Sequence, residues 1–92
     1  MKSLKPSHRE KKRYLLLRGK DVLKKTIEEV ILEFIGVLGY AKASPQFLRT
    51  KENSAILAIN RAELDTIRAS FLVSKKDIVI MKVSGSVKGL GQ

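Results

Sequence analysis

The sequence has no cysteine and no tryptophan, one histidine, two prolines and only nine acidic residues in 92. Without cysteine there can be no disulfide and no thiolate metal site, which fits an intracellular, cytoplasmic protein. The one histidine, His8, stands among Arg9, Lys11 and Lys12. Their charges disfavour its protonation, so it reads as a polar surface residue or a ligand contact rather than a general base. No apolar run approaches the roughly 18 to 20 residues of a membrane-spanning helix. The basic N-terminus is not followed by the short apolar segment of a secretory signal. Gly85, Gly89 and Gly91 make the C-terminus glycine-rich, but neither a GxxxxGK[ST] run nor a strand-GxGxxG-helix context is present, so a nucleotide-phosphate loop is not expected. Glu28, Glu29 and Glu33 have the spacing of a solvated helix face rather than of a paired-acid site. The inventory offers no catalytic residue and no metal-ligand set.

What the chain does have is positive charge. Nineteen Lys and Arg oppose nine Asp and Glu, a net of +10 on 10.3 kDa. Residues 1–25 carry ten cations and only Glu10 and Asp21 as anions, so +8 of that charge lies in the first quarter. A concentrated field of this kind calls for a polyanionic partner, and a phosphate backbone fits better than a membrane, because no apolar stripe accompanies the basic segment. An apolar content of 43% argues for a folded core, and 92 residues give room for one domain. The expected layout is a basic segment over 1–13, a folded core over 14–83 and a flexible tail over 84–92.

Ser7 and Glu10 match a capping box directly after Pro6, which predicts a short basic helix over His8 to Lys12. Tyr14 to Arg18 is a short apolar run closed by Gly19 and suits a central strand. From Asp21 the period changes: Val22, Leu23, Ile27, Val30, Ile31, Phe34, Ile35 and Leu38 recur at helical spacing, with Gly36 and Gly39 where the helix should end. Strands over Ala43 to Thr50 and Ser54 to Ile59 are joined by the hairpin-length Lys51-Glu52-Asn53. Asn60 then caps a second helix, Glu63 completes the box, and Leu64, Ile67, Phe71 and Leu72 form its apolar face. A last strand follows over Ile78 to Val83. The order β-α-β-β-α-β predicts an α+β, ferredoxin-like split βαβ fold: a four-stranded antiparallel sheet, strands one and three central, both helices on one face.

That fold serves many functions, so it decides none. The common RNA-recognition module stacks bases on aromatic residues of its central strands. Here the third strand, Ala55 to Ile59, has no aromatic residue, and Tyr14 is the only one in the central pair. The third and fourth strands are apolar on both alternating faces, yet two helices cover only one. Something else should cover the other: a terminal segment, a second copy or a different protein.

Two segments are specific. Lys5-Pro6-Ser7-His8-Arg9-Glu10-Lys11-Lys12-Arg13-Tyr14 resembles the K/P-P-[ST]-x-R-x-K-K-R-Y opening of the ribonuclease P protein component 2 family, archaeal relatives of a small subunit shared by eukaryotic ribonuclease P and MRP. Val83-Ser84-Gly85-Ser86-Val87-Lys88 resembles the S-G-[ST]-x-[KR] segment after the last strand of that family. The resemblance implies a noncatalytic subunit of a ribonucleoprotein in which RNA and its Mg²⁺ ions remove the 5′ leader of precursor tRNA, with no cofactor held by the protein. The partners it implies are ribonuclease P RNA, the precursor tRNA substrate in the complex, a TIM-barrel-like component 3 and other protein subunits, together with possible self-association. The RNA contacts it implies are Lys5, Arg9, Lys11, Lys12 and Arg13, with Ser84, Gly85, Ser86 and Lys88 as a second set. Members of the family commonly continue past the second segment into a further helix, for which the sequence through Gln92 has no counterpart.

The competing readings are another small RNA-binding protein, for example a ribosome-associated one, which shares charge and fold but not both motifs, and an acylphosphatase-like hydrolase. The hydrolase needs a phosphate-cradling loop that Arg18-Gly19-Lys20-Asp21 does not provide. A homodimeric ligand-sensing domain is a third possibility, to be separated by size measurement and RNA binding.

Overall fold

Leu15, Leu16 and Leu17 are consecutive and all buried, which a strand permits only when both of its faces are covered. They belong to β1 (Lys12–Arg18) in a computed structural model that describes residues 11–90. After it come α1 (Lys24–Ala43), β2 (Gln46–Lys51), β3 (Ser54–Asn60), α2 (Leu64–Val73) and β4 (Val79–Ser84), with single 3-10 turns at Arg61–Glu63 and Lys88–Leu90. The sheet order is β2-β3-β1-β4, with every neighbouring pair antiparallel. The expected α+β order and the central placing of the first and third strands are both present.

One face of the sheet packs on the helices. Leu15 and Leu17 from β1 and Ala55, Leu57 and Ile59 from β3 meet Ile27, Val30 and Ile31 of α1 and Ile67 and Phe71 of α2. Each such buried aliphatic side chain contributes about 1.5–3 kcal/mol. The opposite face holds a smaller cluster in which Leu16 and Ile56 pack beneath Leu90, with Tyr14 and Val87 at its margin. Of the candidates for covering that face, the C-terminal segment occupies its centre. The expected N-terminal helix lies mostly outside the described residues; within them Lys11 is not helical and Lys12 opens β1.

Both edge strands carry a bulge. The register of β2 on β3 skips Leu48, so Phe47 faces Leu57 while Arg49 faces Ile56. The register of β4 on β1 skips Met81, so Lys82 faces Leu16 while Ile80 faces Leu17. Unbroken alternation would have turned Arg49 toward the helix-side core; the extra residue turns it to the other face. Bulges also spoil an edge as a template for further pairing.

Several boundaries differ from the sequence expectation. Gly36 does adopt a conformation that glycine favours, φ 75 and ψ 177, but it kinks α1 instead of ending it. The helix resumes to Ala43 and closes at left-handed Ser44, whose N–H donates to the Tyr40 carbonyl, so β2 begins at Gln46 rather than Ala43. Just beyond the kink Val37 and Leu38 point outward, Leu38 being 81% exposed, and the helix returns to the core only through Tyr40 and Ala43. In α2 the buried stripe is Ile67, Ser70 and Phe71, and Leu72 points outward. Gly19 has the strictest backbone requirement: at φ +144 its place would put a Cβ 1.9 Å from the Asp77 carbonyl oxygen. That close approach joins the β1–α1 and α2–β4 connections, where the Lys20 N–H donates to Asp77 Oδ2 at 2.9 Å and the Asp77 N–H to Asp21 Oδ2 at 2.6 Å.

Candidate nucleic-acid interface

The two family-like segments are about 70 positions apart in sequence and adjoin in space. β1 and β4 are antiparallel neighbours with Tyr14 opposite Ser84, so the turn that leaves β4 emerges beside the start of β1. A Cβ at Gly85 would stand 3.5 Å from an Arg13 guanidinium nitrogen, which places the Ser84-Gly85-Ser86 backbone alongside that side chain. Lys11 and Lys88 are exposed at this end, while Lys12 and Arg13 are half-buried. Lys5 and Arg9 lie outside the described residues.

The turn after β4 is internally bonded. Ser84 Oγ accepts the Ser86 N–H at 3.2 Å, Ser86 Oγ accepts the Gly89 N–H at 3.1 Å, and the Leu90 N–H reaches the Val87 carbonyl at 3.0 Å. Gly89 suits this turn because a Cβ there would displace the Ser84 hydroxyl from its place against the Ser86 N–H. Both serine hydroxyls are thus held as acceptors, and their own protons remain available to an outside oxygen. The segment expected to be a flexible tail ends, over its described part, in a 3-10 turn that buries Leu90 to 3% exposure.

Sequence reasoning missed three participants. Asn60, expected to cap the following helix, makes no capping bond; its Oδ1 accepts from Lys12 Nζ at 2.8 Å and its amide nitrogen donates to the Lys42 carbonyl. That pair of bonds ties the end of α1 to the start of β1. Arg61 follows at once, exposed, its N–H on the Lys11 carbonyl at 2.7 Å. Lys42 is exposed as well. Register was the missing signal: only pairing Lys12 with Asn60 brings Lys42 and Arg61 to the basic motif. The outcome is a pole holding Lys11, Lys12, Arg13, Lys42, Arg61 and Lys88. Among the described residues Lys12 and Arg13 bond to an amide and a carbonyl rather than to carboxylates, which leaves their charge uncompensated by pairing.

Such a pole, with hydroxyl and ammonium donors converging beside a serine-glycine turn, suits phosphate oxygens. Among the described residues there is no group of three or more His, Cys, Asp or Glu able to hold a metal ion, and no helix long and apolar enough to cross a membrane.

Fold and site thus define a small α+β protein with a cationic pole built from both ends of its sheet-forming region. Relatives sharpen this: the chain is 36% identical to ribonuclease P protein component 2 of Thermococcus gammatolerans, the alignment covering 97% of this chain and 87% of the relative. It is 34% identical to the protein of that name from Methanococcus maripaludis, over 96% of this chain and 78% of the relative. With the Thermococcus kodakarensis protein of the same name it shares 31% identity over 97% and 87%. The chain belongs to the ribonuclease P protein component 2 family. No family model matches it.

Proposed function

We propose that this chain is a noncatalytic protein subunit of archaeal ribonuclease P that binds the catalytic RNA and supports removal of the 5′ leader from precursor tRNA. The observation that carries the reading is the meeting of the two family-like segments at one cationic pole, in a chain aligned over nearly its whole length with proteins named for that enzyme. In this reading the phosphodiester chemistry belongs to the RNA and its Mg²⁺ ions. The protein neutralises phosphates through Lys5, Arg9, Lys11, Lys12 and Arg13 and offers Ser84, Gly85, Ser86 and Lys88 as a second contact. Component 3 and the remaining protein subunits complete the particle.

Reconstitution tests it: precursor-tRNA cleavage by ribonuclease P RNA and the component 3 protein, with and without this chain, at moderate Mg²⁺. Stimulation that needs both RNA and chain is expected. No stimulation from a folded chain with an active partner set would leave only a generic RNA-binding role. Replacing Lys11, Lys12 and Arg13 with Ala should lower the log-log salt slope of RNA binding by about 2 to 3, at roughly 0.7–0.9 per lost phosphate contact. An unchanged slope removes them from the interface.

A further inference from the structure

The sheet contains no carboxylate. Its four strands carry Lys12, Arg13, Arg18, Arg49, Lys51 and Lys82, and the acidic residues among those described all lie in helices and connections. Register distributes most of these cations to one side. On β3 the helix-side positions are 55, 57 and 59, so Ser54, Ile56 and Ala58 face the other way. Arg49 and Lys82 flank the row through Ile56 and Leu16, while Lys51 and Arg18 share the next row with Ser54 and Val79. At a strand spacing of about 4.8 Å, Arg49 and Lys82 stand roughly 14 Å apart across the sheet. All four are exposed, and Lys88 joins them from the turn whose Leu90 packs on this face.

The apolar centre of the face is closed by Leu90 and Val87, and the apolar side chain left half exposed in the charged rows is Val79, at the β4 edge beside Arg18. Tyr14 is its only aromatic residue, which rules out the base-stacking platform of common RNA-recognition sheets. Of the nearest loop carboxylates, Asp21 and Asp77 accept backbone N–H groups, and Glu52 stands at the tip of the β2–β3 hairpin, beyond the end of the strand that carries Arg49 and Lys51. A face whose strands are free of acids, framed by Arg and Lys and carrying a single aromatic residue matches the backbone of a folded RNA, read by charge and shape.

We infer that the helix-free face of the sheet is an RNA-backbone surface in its own right, continuous with the pole at the start of β1 and centred on Arg18, Arg49, Lys51 and Lys82. The inference rests on the ribonuclease P reading for the identity of the RNA. The bulge at Leu48 belongs to this design, since the register shift is what delivers Arg49 to the face.

The test compares the whole chain with two variants of equal charge change, using ribonuclease P RNA of the same organism. One is R18Q/R49Q/K51Q/K82Q on the sheet face; the other is K25Q/R68Q/K75Q/K76Q, exposed on α1, on α2 and in the α2–β4 connection. The sheet variant is expected to make the salt slope shallower by about 3, and the helix variant by less than one contact's worth, ~0.7–0.9. In the wild-type protein, bound RNA should protect Lys51 and Lys82 from amine acylation while Lys25, Lys75 and Lys76 stay reactive. This second readout does not depend on the variants folding. RNA binding with an unchanged slope in the sheet variant, an equal fall in both variants, or unprotected Lys51 and Lys82 would overturn the sheet-face surface alone. Failure of the wild type to bind this RNA at any salt would overturn the ribonuclease P reading and the surface with it.

Discussion

Asn60 gives the sharpest test of how the structure departs from its sequence signature. As a helix cap, Asn60 would be replaceable by Ser at almost no cost, because the two cap equally well. As the strut observed, bridging Lys12 Nζ and the Lys42 carbonyl, it cannot be replaced by Ser, whose hydroxyl sits one bond too short to span both. The residue is 8% exposed, so Asn60→Ser leaves a carbonyl and an ammonium with poorer solvation than in the unfolded chain. Losing two part-buried hydrogen bonds, one of them from an ammonium, costs about 1–3 kcal/mol. In urea, at a slope of about 1–2 kcal/mol/M, a 2 kcal/mol loss lowers the midpoint by roughly 1–2 M. Asn60→Ala should cost about as much as Asn60→Ser. A Ser variant within about 0.3 kcal/mol of wild type, paired with a clearly weaker Ala variant, would restore the capping role and refute the strut.

The other two perturbations probe the second sheet face and the long helix. Leu90→Ala should destabilise by about 2 kcal/mol, the low end for buried leucine because its cluster is small and peripheral, and should raise binding of a hydrophobic dye to the uncovered Leu16 and Ile56; unchanged stability would mean the turn does not hold this face. Tyr40, desolvated and facing Glu28 at 3.4 Å, has its phenol raised above the ordinary 10.0. The folded state therefore holds this proton more tightly than the unfolded state. Its contribution to stability is complete below about pH 10 and is lost as pH climbs through the raised folded value. Urea midpoints followed upward from pH 9 should fall less steeply in Tyr40→Phe, and identical slopes would remove Tyr40 from the alkaline transition.

Much of the architecture was legible because burial and period agree. The run Tyr14 to Leu17 is too short for a helix and too apolar for an edge, and β1 is central. The spacing of Ile27, Val30 and Ile31 is a helix stripe, and before the kink at Gly36 those three are the side chains buried in α1. What failed were readings that depend on partners. Gly36 carries the expected local signature of a helix end, yet the seven residues beyond it resume the helix and stop only where Ser44 turns left-handed. The Asn60 and Glu63 pair has a capping spacing, but a 3-10 turn intervenes before α2 and Lys12 claims the Asn60 side chain.

The candidate site divides along the same line. A motif of consecutive residues such as Lys11-Lys12-Arg13 is visible in any sequence, since its members need no fold to be neighbours. Arg18, Arg49, Lys51 and Lys82 are scattered over 65 positions, and their common face depends on two bulges that alternation cannot foresee. The sign of charge could nevertheless have been tallied strand by strand. A strand position is worth more to a nucleic-acid surface than a tail position, because the sheet fixes the spacing of its charges before the RNA arrives and less side-chain freedom is lost on binding. The first quarter of the sequence therefore holds most of the net charge, whereas the sheet holds the part of it arranged in advance. If the sheet-face variant and the Lys11, Lys12 and Arg13 variant each flatten the salt slope and their combination flattens it by the sum, the two regions contact separate phosphates. A combined effect no larger than either one alone would mean that the pole and the sheet compete for the same stretch of RNA.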